Sequence, residues 1–555
     1  MTEVLKLLLP EIILAGAALV LMLMGVSRAV STRKVAPVLA LVALAAAFIV
    51  AMMQTAGLAE SGTLADPYNV VRGYEFGQYI KLLTVAVGAL LVLLAWPSNA
   101  DGTGNASLNF STEGSEFFSL LLLSLCGVLL TASANDMILL FLALELVSLP
   151  TYVMVSISRP TAVAQEAGIK YFFLGAMSAA VMLFGFSYIY GVTGTTDLHA
   201  ILQGFVPNAA GEIPAMSPWM LFGVVVLLLG LAFKIAAFPM HFYAGDVYQG
   251  AATPVTAFLA FTPKTAGFVA IIKVLFVIGG GVWLTSQTLV NLLMVLAVLT
   301  MTVGNVLGLL QYNVKRVLAY SSVAHSGYML VGLTALMAAG WADGVSDVSK
   351  VQADALRGVL FYLTAYGLMN AGAFGVLMLL PSREPPQSGD IAHGTTAETF
   401  EDLAGTGRRH VGLGLAMAVC CFSLTGLPLT IGFFGKALLI LPALDAKLLG
   451  LVIIMVVNAA ISAGYYLRII GTMFLRTDPA ADSAGQPEIA PVAMPRRLLP
   501  VPIVAAVVLS VIATLLLGVV PPVIQALSTR TSQAVQLESA AAARDLSPQA
   551  ATLFE

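Results

Sequence analysis

Apolar runs of about 20 residues recur along the whole chain, and each is long enough to cross a bilayer as a helix. Nothing else in the sequence constrains the fold as strongly. In hydrocarbon, every backbone N–H and C=O must find its partner within the protein. The composition agrees: 555 residues, 59% hydrophobic and 10% charged, where soluble domains carry about 25% charge. A soluble multidomain enzyme is excluded. Twenty-six Lys+Arg stand against 29 Asp+Glu, a net charge of -3 with no basic tract, which argues against a nucleic-acid partner. Cys126, Cys420 and Cys421 lie in apolar runs without the spacing of a zinc or iron–sulfur site and read as packing residues, so no metal is expected.

About 14 spans are expected, at 4–25, 35–54, 77–96, 116–133, 134–157, 168–191, 217–240, 253–278, 286–310, 316–340, 356–381, 410–440, 446–475 and 500–526. The first carries Glu3, Pro10 and Glu11 where a signal peptide would begin with basic residues, so it is expected to stay in the protein. Loops after odd-numbered spans hold 14 basic residues and the opposite side holds 7. The positive-inside rule then places both termini outside. The other five cations, Lys81, Lys234, Lys264, Lys273 and Lys436, fall within spans.

Glu145 is the one acid read as lying deep in a span, about 11 residues or roughly 16 Å into its helix. A charge at that depth costs about 2.5–3.5 kcal/mol on insertion scales and needs a partner or water. An ion pair that merely locks helices is one reading. Proton handling is the other. Burial favours the neutral form of a lysine while a nearby carboxylate favours the charged form, so moving Glu145 relative to Lys234 would switch the lysine between holding and releasing its proton. Lys170 reads equally as a snorkelling cation or a proton feeder, His241 and His325 as relay candidates, and Lys81 and Lys273 as snorkelling residues near span ends.

Pro239 is expected to disrupt span 7 at Phe238, beside Lys234, and Pro263 to weaken the ladder next to Lys264. Gly426, Pro428, Gly432 and Gly435 interrupt span 12 ahead of Lys436. Broken backbone is tolerated in a membrane only beside a cavity or protein, so these lysines are expected to touch water. Spans 7 and 12 cross in opposite directions, five spans apart. That pattern points to an inverted repeat. The expected fold is an all-α polytopic membrane protein: residues 1–115 hold spans 1–3 and a loop, 116–280 the first five-helix repeat (spans 4–8), 281–476 the second (spans 9–13), 477–527 a loop and span 14, and 528–555 a polar tail.

Five segments carry a family resemblance: Ser133 to Leu149 (SANDMILLFLALELVSL), Phe233 to His241 (FKIAAFPMH), Gln311 to His325 (QYNVKRVLAYSSVAH), Ser423 to Lys436 (SLTGLPLTIGFFGK) and Asn458 to Arg468 (NAAISAGYYLR). Over about residues 1–526 the chain resembles the antiporter-like membrane subunits of respiratory complex I, which are similar to Mrp-type antiporter subunits. Leu9 to Ile12 (LPEI) and a lysine at 436 look most like the subunit N branch. The long loop between spans 3 and 4, Leu429–Thr430 and the extended C-terminus depart from the usual pattern.

The resemblance implies that Glu145 and Lys234 form a modulating pair, Lys264 a central relay and Lys436 the group exchanging with the far channel. It implies proton translocation in a bacterial inner membrane, coupled to quinone reduction elsewhere. NADH, FMN, iron–sulfur clusters and quinone would be bound by partner membrane-arm and peripheral-arm subunits, and no cofactor by this chain. A cation/proton antiporter subunit and a non-pumping scaffold are the alternatives.

Overall fold

The structure, a computed structural model, describes residues 2–26, 30–61, 64–65, 70–73, 75–96, 114–159, 161–205, 216–279, 286–342, 344–345, 347–380, 397–476 and 500–519. The polar tail and most of the loop between spans 3 and 4 lie outside these residues. The described chain is helical apart from a two-residue ladder pairing Leu64–Ala65 with Arg72–Gly73. Among the described residues, ten helices are long and apolar enough to cross a membrane, and three shorter ones, Leu9–Gly25, Pro218–Lys234 and Val411–Thr425, are also apolar.

In chain order the first group is α1 (Thr2–Leu7), α2 (Leu9–Gly25), α3 (Val30–Ser61), α4 (Glu75–Leu94), α5 (Gly114–Ser133), α6 (Met137–Ile157) and α7 (Ala162–Thr193). Next come α8 (Leu198–Gln203), α9 (Pro218–Lys234), α10 (Ala244–Gly250), α11 (Thr253–Ile278), α12 (Gln287–Leu309) and α13 (Val314–Ala338). The chain continues through α14 (Val348–Leu379), α15 (Phe400–Leu403), α16 (Thr406–Arg409), α17 (Val411–Thr425), α18 (Ile431–Asp445), α19 (Leu449–Phe474) and α20 (Val501–Val519). The short helices α8, α10, α15 and α16 have no counterpart among the expected spans.

Side-chain caps set many helix starts, because the first N–H groups have no intrahelical acceptor. Asp136 accepts from Ile138 N and Leu139 N to open α6, Ser217 caps α9 ahead of Pro218, and Asn313 caps α13. α11, α13 and α14 form the centre. Every residue of α11 except Phe276 is buried, and every residue of α13 except Arg316. α3, α7, α19 and α20 lie at the periphery and turn Ile49, Phe173, Leu183, Val456, Leu467 and Leu516 outward. Exposed apolar side chains in such number suit lipid rather than water.

Pro239 and Pro428 both lie in breaks, the first of which opens before its proline, and Pro263 lies in none. α9 ends at Lys234 itself, four residues before Phe238, and Ala236 has φ 53°. Pro239 sits in the turn that follows, after a cis peptide bond. α11 runs unbroken through Pro263, because close packing on all sides holds a helix that has lost one donor. The second break covers Gly426–Thr430, between α17 and α18, with Gly426 at φ 93°, Leu429 at φ 69° and Pro428 between them. Gly432 and Gly435 lie inside α18 and serve close approach instead: a Cβ at Gly432 would stand 1.9 Å from the Ser423 carbonyl oxygen, and one at Gly435 2.6 Å from the Tyr362 ring.

Candidate functional site

Each break lies beside a buried lysine: Lys234 ends α9, and Lys436, in the second turn of α18, reaches back to the carbonyls at the end of α17. Lys234, the last residue of α9, donates to Glu145 Oε1 on α6 at 2.8 Å and to Ser148 Oγ, one turn along, at 2.6 Å. Lys234 is buried, and Glu145 is 16% exposed. Ser326 on α13 donates to the Ile235 carbonyl inside the break at 2.6 Å and accepts from Lys264 at 2.9 Å. Lys264 also donates to the Ser322 carbonyl and lies 5.5 Å from the centre of the Tyr366 ring.

Beyond Ser326 the line continues on α13. His325 pairs through Nδ1 with Tyr362 OH at 2.6 Å and through Nε2 with Tyr466 OH at 3.0 Å, and its ring meets Tyr328 edge-on. Tyr328 carries Lys436 over its face at 4.9 Å. Lys436 donates to Thr425 O at 2.7 Å and Leu424 O at 3.1 Å, the carbonyls freed where α17 stops. Asn305 bonds Tyr328 OH at 3.0 Å and accepts from Tyr465 OH at 2.9 Å. Glu145 and Lys234 are thus one bonded pair, Lys264 bonds Ser326 beside the first break, and ring contacts of Tyr366 and Tyr328 set His325 between Lys264 and Lys436, so that one line of polar groups, though not one chain of hydrogen bonds, leads from Glu145 to Lys436. Lys264 and Lys436 meet neutral acceptors only in those contacts. Such an amine can hold or pass a proton to a neighbouring hydroxyl or water without breaking an ion pair.

Two secondary candidates stand apart from that line. Lys170 is 43% exposed, paired with Glu166 at 2.7 Å and Asp246 at 2.9 Å. His241 is buried in the break, stacked between Phe238 and Phe242, with Nδ1 lacking any hydrogen-bond partner. Snorkelling is overturned for Lys81 and Lys273. Lys81 is 1% exposed and paired with Glu11 at 2.7 Å, and Lys273 is buried and donates to Ala134 O at 2.6 Å. Neighbouring helices cover both before their side chains could reach an interface. Glu145 is accordingly not the sole buried acid, since Glu11 is 3% exposed.

Sequence reasoning also missed a belt of ionic contacts at one end of the molecule. Lys315, read as a loop cation, is fully buried and donates to Ala251 O at 2.6 Å and Gln249 O at 3.2 Å, between α10 and α11. Lys315 and Arg159 both pair with Glu398. Arg316 holds Asp246 on α10 at 2.7 Å. Burial raises the Asp246 carboxyl, but its bonds to Lys170 and Arg316 outweigh that and hold it below the ordinary carboxylate range. The partners stand far apart in the chain, 70 residues for Arg316 and Asp246 and 239 for Arg159 and Glu398, so no local spacing announces them.

A family described as NADH:quinone oxidoreductase/Mrp antiporter, TM, matches residues 134–462. The chain is 37% identical over 492 residues to NADH-quinone oxidoreductase subunit N of Myxococcus xanthus, covering 85% of this chain and 88% of that one. It is 42% identical over 361 residues to the protein of the same name in Trichlorobacter lovleyi, 65% of this chain and 68% of that one. A chain of respiratory complex I from Thermus thermophilus superposes with a TM-score of 0.69 at 30% identity, over 94% of this chain and 99% of the other. A chain of the Mrp complex from a Dietzia species shares the fold, with a TM-score of 0.74 at 20% identity over 95% and 99%.

Proposed function

The chain belongs to the NADH:quinone oxidoreductase/Mrp antiporter family of membrane proteins, and from that premise we propose that it is a membrane-arm, proton-translocating subunit of bacterial NADH-quinone oxidoreductase, of the subunit N type. It is a multi-pass membrane protein that works beside other subunits of that complex. Fourteen spans, with an inverted pair of five-helix units at 116–280 and 281–476, account for the two breaks of opposite direction. The belt of Arg159, Lys170, Lys315 and Arg316 belongs on the cytoplasmic side, which leaves both termini periplasmic. As part of the complex the chain acts as a translocase. The redox chemistry, with NADH, FMN, iron–sulfur clusters and quinone, belongs to partner subunits.

The single observation that supports the reading is the line of polar groups from Glu145 to Lys436. Glu145 favours the charged form of Lys234 by roughly 4 kcal/mol at 4 Å and an effective dielectric of about 20. Withdrawing that carboxylate releases a proton from Lys234 toward Lys264, through Ser326 or a water beside it. Lys264 passes it along the His325 and tyrosine hydroxyls to Lys436, and the next proton resets the pair. Each charge moved against the membrane potential costs about 2.3 kcal/mol per 100 mV, so the cycle is driven by quinone reduction in the partner subunits.

Purification through an affinity tag on this chain tests the assignment. The expected preparation contains flavin and iron–sulfur subunits and oxidises NADH with quinone. A preparation lacking both, whose vesicles exchange sodium for protons without NADH, would replace this reading with the antiporter one.

A further inference from the structure

The line through the centre leaves one buried ion pair unused. Lys81, on α4, donates to Glu11 Oε1, on α2, at 2.7 Å, and also to Leu7 O at 3.2 Å. Ser133, the last residue of α5, donates to the same Glu11 oxygen at 3.1 Å. The pair is 1% and 4% exposed. Its make-up repeats that of Lys234, Glu145 and Ser148: one lysine, one glutamate, one serine hydroxyl, with α5 packed against both α2 and α6.

A pair that served only as a lock would have its oxygens and neighbours satisfied, and this one does not. Glu11 Oε2 is buried with no partner, and so are Gln78 Oε1 and Thr84 Oγ1, which stand three residues before and after Lys81 on the same side of α4. Three unpartnered buried polar atoms around one ion pair mark positions that water fills. They run from Thr84, inside, toward the end of α4 away from the basic belt. There Gln78 donates to Gln54, which donates to Lys6 O at 2.6 Å, and Gln54 is only half-buried.

We infer that Glu11 and Lys81 form a second proton-exchanging pair on the outer side of the molecule, an outlet separate from the line that ends at Lys436. The inference rests on the proton-translocating reading above. A proton arriving by water at Thr84 charges Lys81. The Lys81 N–H then breaks as an O–H forms on Glu11, giving amine and carboxylic acid. The acid turns about its Cγ–Cδ bond so that the O–H faces Gln78, gives that proton to water there and turns back as carboxylate, ready for the next lysine proton. One proton has moved outward and no other species is consumed. Ser133 donates to the carboxylate form and sets where it comes to rest, as a positioning residue.

The test uses the whole complex in inverted membrane vesicles, with proton flux measured at matched rates of NADH oxidation. The double substitution Glu11→Gln and Lys81→Met keeps the volume and removes both charges. It is expected to lower protons moved per NADH by about two-fold or more, within what loss of a proton-transfer group costs. Unchanged stoichiometry in the assembled double variant overturns the inference. If that variant does not assemble, Glu11→Asp decides: lower flux with an altered protonated-carboxyl band in redox-difference infrared spectra supports exchange, and unchanged flux with unchanged bands refutes it. Lys264→Met in the same vesicles separates the two levels of argument. Normal pumping there would remove the underlying reading, whereas normal pumping in the Glu11 and Lys81 variants alone removes only the outlet.

Discussion

At the scale of single residues, the sequence discloses charges where lipid should be and hides the groups that serve them. Lys234, Lys264 and Lys436 stand out because each interrupts an apolar run near a proline or glycine. Lys81 does not, because a cation within two turns of a helix end has a cheaper explanation in snorkelling. Ser148, Ser326, Tyr362 and Tyr466 are invisible for another reason, since hydroxyl residues are common in packed membrane helices and only three-dimensional contact selects these. Glu398 lies outside the spans and its chemistry is open to titration. Burial raises its carboxyl, but Lys315 and Arg159 pull it below the ordinary range. A carboxyl depressed in the folded state stabilises at pH values above its unfolded pKa, about 4.3, and that contribution disappears as pH falls through the folded value. Glu398→Gln is therefore expected to lower the melting temperature at neutral pH and to narrow its gap to the unaltered protein as the buffer is acidified. A gap constant between neutral and acid pH would show that the triad does not hold this carboxylate.

At the scale of elements, periodicity and turn residues located the helices, while the positions of the breaks followed tertiary packing. Pro239 lies inside the first break, which opens earlier because α9 stops once Lys234 reaches Glu145 and Ser148. Pro263 predicted a weakness that the surrounding helices suppress. Ala236 and Leu429, both left-handed without being glycine, sit in the two breaks. Strain of that kind costs about 1–3 kcal/mol per residue and persists only where neighbours enforce it. Gly432 shows how tightly the second break is fitted, because a methyl there would push α18 off the end of α17, where Lys436 finds its two carbonyls. Gly432→Ala is expected to lower stability by about 1–3 kcal/mol, the range for overpacking, and to reduce proton flux with it. Gly412→Ala, where a methyl meets nothing within 4 Å, should leave both unchanged. Equal thermal melting of the two variants in detergent would contradict the packing of α17 against α18.

At the scale of the whole molecule, hydropathy and charge asymmetry were enough to read a helical, membrane-embedded chain, because lipid leaves the backbone few choices. Which helices occupy the centre was not legible. α13 is polar enough to look peripheral, yet all but one of its residues are buried, since His325, Ser322 and Ser326 belong to the line that α13 carries between the two breaks. Sequence also could not show which side chains lie between the lysines. The most direct test of the proposed relay is proton translocation by the intact complex in inverted vesicles when Lys264, placed between Lys234 and His325 in that relay, becomes methionine. The account predicts an assembled complex that still passes electrons from NADH to an artificial acceptor while pumping fewer protons per electron. A Lys264→Met complex that acidifies its vesicles as well as the unaltered one would mean that protons do not travel this line.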